Sequence, residues 1–190
     1  MILLIYIHIP ASQNFDGFMH PKEIVRTIKA HGQIGAAITD HGTFAGAIQF
    51  IKACRAEDIK CVVGIESYLC RDHKVHSKDG QPDGRKGNRH INLFAKNMQG
   101  YKNICTLSQT AFLDGFYYDP RIDIELLAKH SEGVICSTAC LSGIVNWNLR
   151  TGRHEEAKKA ASIFKDIFAD DFLSGIIFAS SSIPWYMTSR

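Results

Sequence analysis

The stretch AAITDHGT, residues 36–43, runs from small apolar side chains into an acid, an imidazole and a glycine. A buried strand accommodates the first half and avoids the second, so the strand ends where polar side chains are wanted. In a β/α barrel, strand ends project into a mouth where loops meet and chemistry collects. On that reading Asp40 and His41 face the mouth, and Gly42 lets the chain turn without a Cβ in the way. The competing reading is a turn in which Asp40 caps the next helix and His41 is incidental. DHG by itself leaves the two even.

Outward from this stretch, short β-branched runs alternate with longer stretches of helical period, the pattern of β/α units rather than of a sandwich or a bundle. Strands are predicted over residues 3–9, 34–39, 61–68, 91–95 and 134–137. Helices are predicted in PKEIVRTIKAHG, FAGAIQFIKACRAED, GYKNICTLSQTAF, IDIELLAKH and RHEEAKKAASIFKDIF, the first opened by Pro21 and closed by Gly32. The chain of 190 residues suffices for one sizeable core, and 45% hydrophobic with 22% charged residues is ordinary globular composition. A net charge of +3 is too small to indicate nucleic-acid binding by charge alone. The opening MILLIYIHIP lacks a basic leader and a small-residue cleavage site, so it reads as a buried first strand rather than a signal peptide. Six cysteines without a CxxC pair read as free thiols in a reducing cytoplasm. Neither GxGxxG nor GxxxxGK[ST] occurs, which removes the glycine-loop nucleotide folds.

Other strand boundaries repeat the chemistry of the first. His8 lies near the end of the first strand, Glu66 follows an apolar run, and Cys140 comes just after the fifth strand. Imidazole nitrogen, carboxylate oxygen and thiolate sulfur all bind zinc, so their recurrence at separate boundaries is what a metal site assembled from several strands requires. Singly, each has a bland reading: a core histidine, a solvent-facing glutamate, a core thiol. Asp16, in the FDGF turn, belongs to the same pattern, with a simple turn aspartate as its alternative. His90 begins its apolar run instead of ending it, and is kept as a ligand on spacing alone. His20, His31, His73, His76, His130 and His154 read as surface histidines. The segment RDHKVHSKDGQPDGRKGNR, residues 71–89, reads as a mobile surface loop, with a solvated basic loop favoured over one that touches phosphate through Arg85, Lys86 and Arg89.

The strings YIH, FDG, AITDHG, VVGIESY, RHINLFAKN, GYKNICTLSQTAFLDGFYYDPRID, LLAKHSEGVICSTACLSG and GRHEEA, in this order, resemble the N-terminal PHP (polymerase and histidinol phosphatase) domain of bacterial-type DNA polymerase III alpha subunits. The likeness runs from about residue 4 to 173 and sets a PHP-like domain at 1–173 apart from a divergent tail at 174–190, uncharged until Arg190. It implies an α/β fold, a distorted β/α barrel of PHP type, here truncated after about five strands. It also implies a mouth holding up to three metal ions, zinc or manganese, for phosphate-ester hydrolysis. Carried over by motif, His8, Asp16, His41, Glu66, His90 and Cys140 are metal ligands, and Asp40 is the orienting neighbour of His41, the two forming the catalytic pair.

Three departures accompany the likeness. HIPASQNFDG is one residue shorter than the family's HxHTxYSLLDG and has Pro10 where a second histidine is expected. Ala139 and Cys140 replace the usual Gly-Cys pair, keeping the thiol and reducing backbone freedom. The pattern leaves the family after Asp171 and Phe172, before its Asp-x-His pair. The polymerase palm, fingers and clamp-binding segment also lie beyond this length in the family of DNA-directed DNA polymerases (nucleotidyltransferases). The expectation is a metal-dependent phosphoesterase-like module with little activity alone. Its alternative is a noncatalytic scaffold for other replicase domains or subunits, a proofreading exonuclease among them, with DNA only an indirect partner and no membrane contact. An unrelated amidohydrolase-type enzyme is a third reading, disfavoured because such an enzyme has no evident use for the GYKNICTLSQTAFLDGFYYDPRID block.

Overall fold

The computed structural model describes the backbone of residues 6–7 and the whole of residues 20–77 and 88–175. In chain order these form β1 (Tyr6–Ile7), α1 (Pro21–Ala30), β2 (Gly35–His41), α2 (Ala47–Ala56), β3 (Lys60–Leu69), β4 (Arg89–Ala95), α3 (Met98–Leu113), β5 (Arg121–Ile122), α4 (Ile124–Lys129), β6 (Val134–Ser137), α5 (Ile144–Arg150), α6 (His154–Phe168), a 3-10 turn (Ala169–Asp171) and β7 (Phe172–Leu173). Four of the five predicted strands and all five predicted helices are present, and of the first strand, predicted over 3–9, Tyr6 and Ile7 form β1 while the rest lies outside the described residues. The predictions lacked the two-residue strands β5 and β7 and the helix α5, which is too short and too rich in asparagine to show an amphipathic period.

The strands form one open, mixed sheet in the order β1-β2-β3-β4-β6-β7, with β5 continuing the edge of β3 beyond β2. The β1-β2, β2-β3, β3-β5 and β6-β7 pairs are parallel, whereas β4 is antiparallel to both β3 and β6. Among the described residues this is the open α/β sheet expected of a distorted barrel.

Strand alternation gives the sheet two unlike faces. Ala36 and Ile38 of β2 point toward α1 and α2 and join Ile24, Val25, Ile28 and Phe50 in one apolar cluster. Ile65, Leu69, Ile91, Leu93 and Cys136 form a second cluster with Ile104 and Leu107 of α3 and Phe164 of α6. On the intervening positions stand Thr39, Glu66, Asn92 and Ser137, all buried and all polar. The helices thus account for one face of the sheet, and the other carries the chemistry. No helix among the described residues is long and apolar enough to cross a membrane.

The loop reading for residues 71–89 needs correction at both ends. Arg89 is the first residue of β4, only 6% exposed, with its guanidinium carbon 3.6 Å from the Trp147 ring centroid. His73 is buried too, because Asp123 of the α4 N-terminus accepts hydrogen bonds from its backbone N–H and binds its ring. Arg85 and Lys86 lie outside the described residues.

Candidate metal centre

His41 ends β2, and the parallel register sets it opposite Glu66 of β3. Glu66 in turn faces Asn92 of β4, and Tyr68 faces His90. Because cross-strand partners share a face, His41, Glu66, Tyr68 and His90 all stand on the polar side of the sheet. The awkward position of His90 at the beginning of its strand is resolved by direction. β4 runs antiparallel, so its first residues lie beside the last residues of β3, and the start of one strand shares an end with the finish of its neighbour.

Cys140 arrives from the loop after β6. That loop folds tightly on itself, with Gly143 N–H donating to the Cys140 carbonyl at 2.9 Å and the Asn146 side-chain amide donating to it at 3.2 Å. His90 N–H donates to the Ser142 carbonyl at 3.2 Å, tying the loop to β4. Ala139, just before the thiol, has φ 55°, a left-handed conformation that costs an alanine and suits a glycine. Gly42, just after His41, also turns left-handed, at φ 63°. A Cβ there would stand 2.7 Å from Pro120 Cγ and 3.2 Å from Tyr68 Cε2. Glycine is required at this position for both reasons.

Four side chains converge as a result. Donor atoms of His41, Glu66 and His90 all lie within 4.8 Å of one another. Glu66 Oε1 is 3.8 Å from His41 Nδ1, contacts His90 Nδ1 and accepts from Cys140 Sγ at 3.6 Å. His90 Nδ1 is 3.2 Å from Cys140 Sγ, and Ser142 N–H points to the same sulfur at 3.4 Å. The rings of His41 and His90 meet edge-on with centroids 5.5 Å apart, and Tyr68 packs on both, 6.1 and 5.3 Å away. His41 is the more open ligand, its side chain 28% exposed against 6% for Glu66.

The electrostatics of the group favour a cation. Burial pushes His90 toward its neutral form, but the Cys140 sulfur and the Glu66 carboxylate together outweigh it and raise its pKa to about 10. Two imidazoles, one carboxylate and one thiol are a donor set that fits zinc and other divalent transition ions. The residues present therefore fit a metal.

The remaining predicted residues fall elsewhere. His8 and Asp16 lie outside the described residues. Asp40 is 3% exposed, and its Oδ2 accepts the Gly46 N–H at 2.7 Å, at the start of α2. Alternation places this side chain on the helix-covered face with Ile38, and the bond to Gly46 ties the end of β2 to the start of α2. Asn92 was missed altogether. It is fully buried on the polar face, opposite Glu66, and neither Nδ2 nor Oδ1 has a partner among the described residues. The available signal was its spacing, two residues after His90 in an otherwise apolar strand.

A second cluster, Asp72, His73 and Asp123, also brings three donors within 4.8 Å of one another. Its lone pairs are already engaged. Asp123 Oδ1 accepts Leu126 N–H at 2.9 Å as the cap of α4, and Oδ2 accepts from the backbone and ring of His73. Beside it, the fully buried Arg121 donates to the carbonyls of Gly115, His73 and Val75.

The family model described as the PHP domain matches residues 7–176. The chain is 41% identical over 167 residues to DNA polymerase III subunit alpha of Helicobacter pylori strain 26695, covering 83% of this chain and 13% of that protein. It is 38% identical over 174 residues to the subunit of the same name in Treponema pallidum, covering 90% of this chain and 15% of that protein. The chain thus spans about one seventh of the length of these relatives. Among solved structures, an amidohydrolase from Chromobacterium violaceum superposes with a TM-score of 0.36 at 17% identity, covering 55% of this chain and 32% of that one.

Proposed function

Because the chain belongs to the PHP domain family and is related to DNA polymerase III alpha subunits, we propose that it is a metal-binding, phosphoesterase-type module of the DNA replication machinery. The observation that carries this reading is the convergence of His41, Glu66, His90 and Cys140, four donors from four separate segments, in one cup. These residues would hold a divalent ion, zinc or manganese, joined by His8 and Asp16 as the family motifs imply. When bound, the ion supplies Lewis acidity toward a phosphoryl oxygen and an attacking water.

The chain's own residues set the rest. Glu66, flanked by His41, His90 and Cys140, supplies the negative charge that holds a cation. Ser142 N–H orients the Cys140 sulfur, and the stacked Tyr68 ring walls the cup on one side. His41, the exposed member, faces the incoming ester. Pro10, where the family motif has a histidine, leaves the ligand set one short, so turnover by the chain alone is low.

The same departure favours a second reading, a noncatalytic scaffold for other replicase domains and subunits, with a proofreading exonuclease among them and DNA only an indirect partner. Six free thiols suit the cytoplasm that such a machine requires. Elemental analysis of purified protein separates the readings. A stoichiometric transition metal, with manganese- or zinc-dependent hydrolysis of a generic phosphodiester that vanishes on His41→Ala, supports the enzyme. Metal-free protein without turnover supports the scaffold.

A further inference from the structure

We propose that Asn92 is a positioning residue of this metal centre, holding the Glu66 carboxylate in its ligating orientation by a hydrogen bond from the adjacent strand. The proposal rests on the metal-binding reading above and adds to it a residue outside the family's ligand motifs.

Three observations converge on Asn92. It stands directly opposite Glu66 in the antiparallel β3-β4 ladder and two residues from His90, so all three side chains leave the same face of the sheet. It is 0% exposed, which keeps bulk water from its carboxamide. Both its polar atoms are without a partner among the described residues. Buried polar groups are nearly always paired, and an orphaned carboxamide calls for a specific explanation.

The orientation of Glu66 provides one. Its Oε1 is drawn toward His90, Cys140 and His41, which in this arrangement compete for the same oxygen. A cation held by these nitrogen, oxygen and sulfur donors would end that competition and leave the carboxylate to accept from the Asn92 amide on the adjacent strand. Carboxylate ligands of metals are commonly hydrogen-bonded in this way, and the partner fixes the ligand's orientation. The neighbours of Asn92 along β4, Ile91 and Leu93, point into the helix-side core and cannot serve.

The test compares Asn92→Leu, which keeps shape without polarity, with Asn92→Thr, which keeps a donor. Zinc and manganese affinities are measured on the whole chain by chelator competition, and melting is followed with and without metal. For Asn92→Leu we expect metal affinity to fall roughly 10- to 100-fold while the metal-free protein melts no lower than wild type. Asn92→Thr recovers most of the affinity. Unchanged affinity in Asn92→Leu overturns the proposal. So does a metal-free variant that melts well below wild type, which marks the carboxamide as structural. Should Asn92→Leu fail to fold, Asn92→Thr decides: affinity as low as that of a ligand-deleted variant overturns the proposal. Wild-type protein that takes up no metal removes the underlying reading instead, a result distinct from either.

Discussion

Two histidine–carboxylate clusters sit among the described residues, and they differ in what their lone pairs already bind. Around His73, both oxygens of Asp123 are spent on the chain itself, capping α4 and binding His73, and Arg121 ties three carbonyls of the surrounding loops. Around His41, three donors crowd a single carboxylate oxygen, and beside it the buried Asn92 amide has no partner among the described residues. Counting donors within a sphere does not separate the two. What separates them is whether the lone pairs are already used by backbone N–H groups, as at an N-cap, or held toward one another by strands that have no other need of them.

The contrast can be broken at several points. The largest effect is expected at Arg121, whose removal strips hydrogen bonds from three carbonyls, two of them buried, and a cation packed 5.2 Å from the Tyr117 ring centroid. Arg121→Ala is expected to lower unfolding free energy in urea by about 3–5 kcal/mol. If it costs less than about 1 kcal/mol, the His73 region is not the structural staple described here.

At the other cluster the effect moves from stability to binding. His41→Ala is expected to weaken zinc affinity by more than the roughly 10- to 100-fold of an outer partner, with the metal-free stability changed by under about 1 kcal/mol. Asp123→Asn, by contrast, is expected to leave zinc stoichiometry as in wild type. A loss of zinc in Asp123→Asn would reverse the assignment of the two clusters.

The two left-handed residues beside the ligands make a mirrored pair. Gly42→Ala adds a Cβ at positive φ against Pro120 and is expected to cost about 1–3 kcal/mol in urea unfolding. Ala139→Gly relieves a strained φ of 55° and is expected to stabilise the chain by about 0.5–1 kcal/mol. A stabilising Gly42→Ala would contradict the close approach of β2 to the Pro120 turn.

The smallest effect is a pH dependence. Burial favours the protonated form of Asp123, but the Leu126 N–H and the His73 ring and backbone outweigh it and hold the carboxyl below its usual range. A carboxylate with a depressed folded pKa contributes stability above its unfolded value, about 3.9, and loses it as pH falls through the folded one. Unfolding free energy measured from pH 5 downward is therefore expected to fall less steeply in Asp123→Asn than in wild type.

Much of this was legible from residue order. The alternation of apolar runs and amphipathic stretches marked five strands and five helices, because each period reflects which face of an element must be buried. The donor identities at positions 41, 66, 90 and 140 were legible as well, since a carboxylate or imidazole at a strand boundary is costly unless paired. The burial of His73 and Arg89 was not. Both lie in a stretch whose composition is that of a solvated loop, and the partners that bury them, Asp123 and Trp147, are some 50 residues away in the chain.

The sequence by itself determined which atoms are available to a metal and that they fall near strand ends. Tertiary structure decided which of them meet. The antiparallel course of β4 brought His90 to the right end of the sheet, alternation within β2 sent Asp40 to the helix side while His41 stayed on the polar one, and register alone set Asn92 beside Glu66. The physical reason is that a strand's period of two fixes faces only relative to one another. Direction and register, which turn a list of donors into a site, are properties of the pairing between strands and appear only once they are assembled.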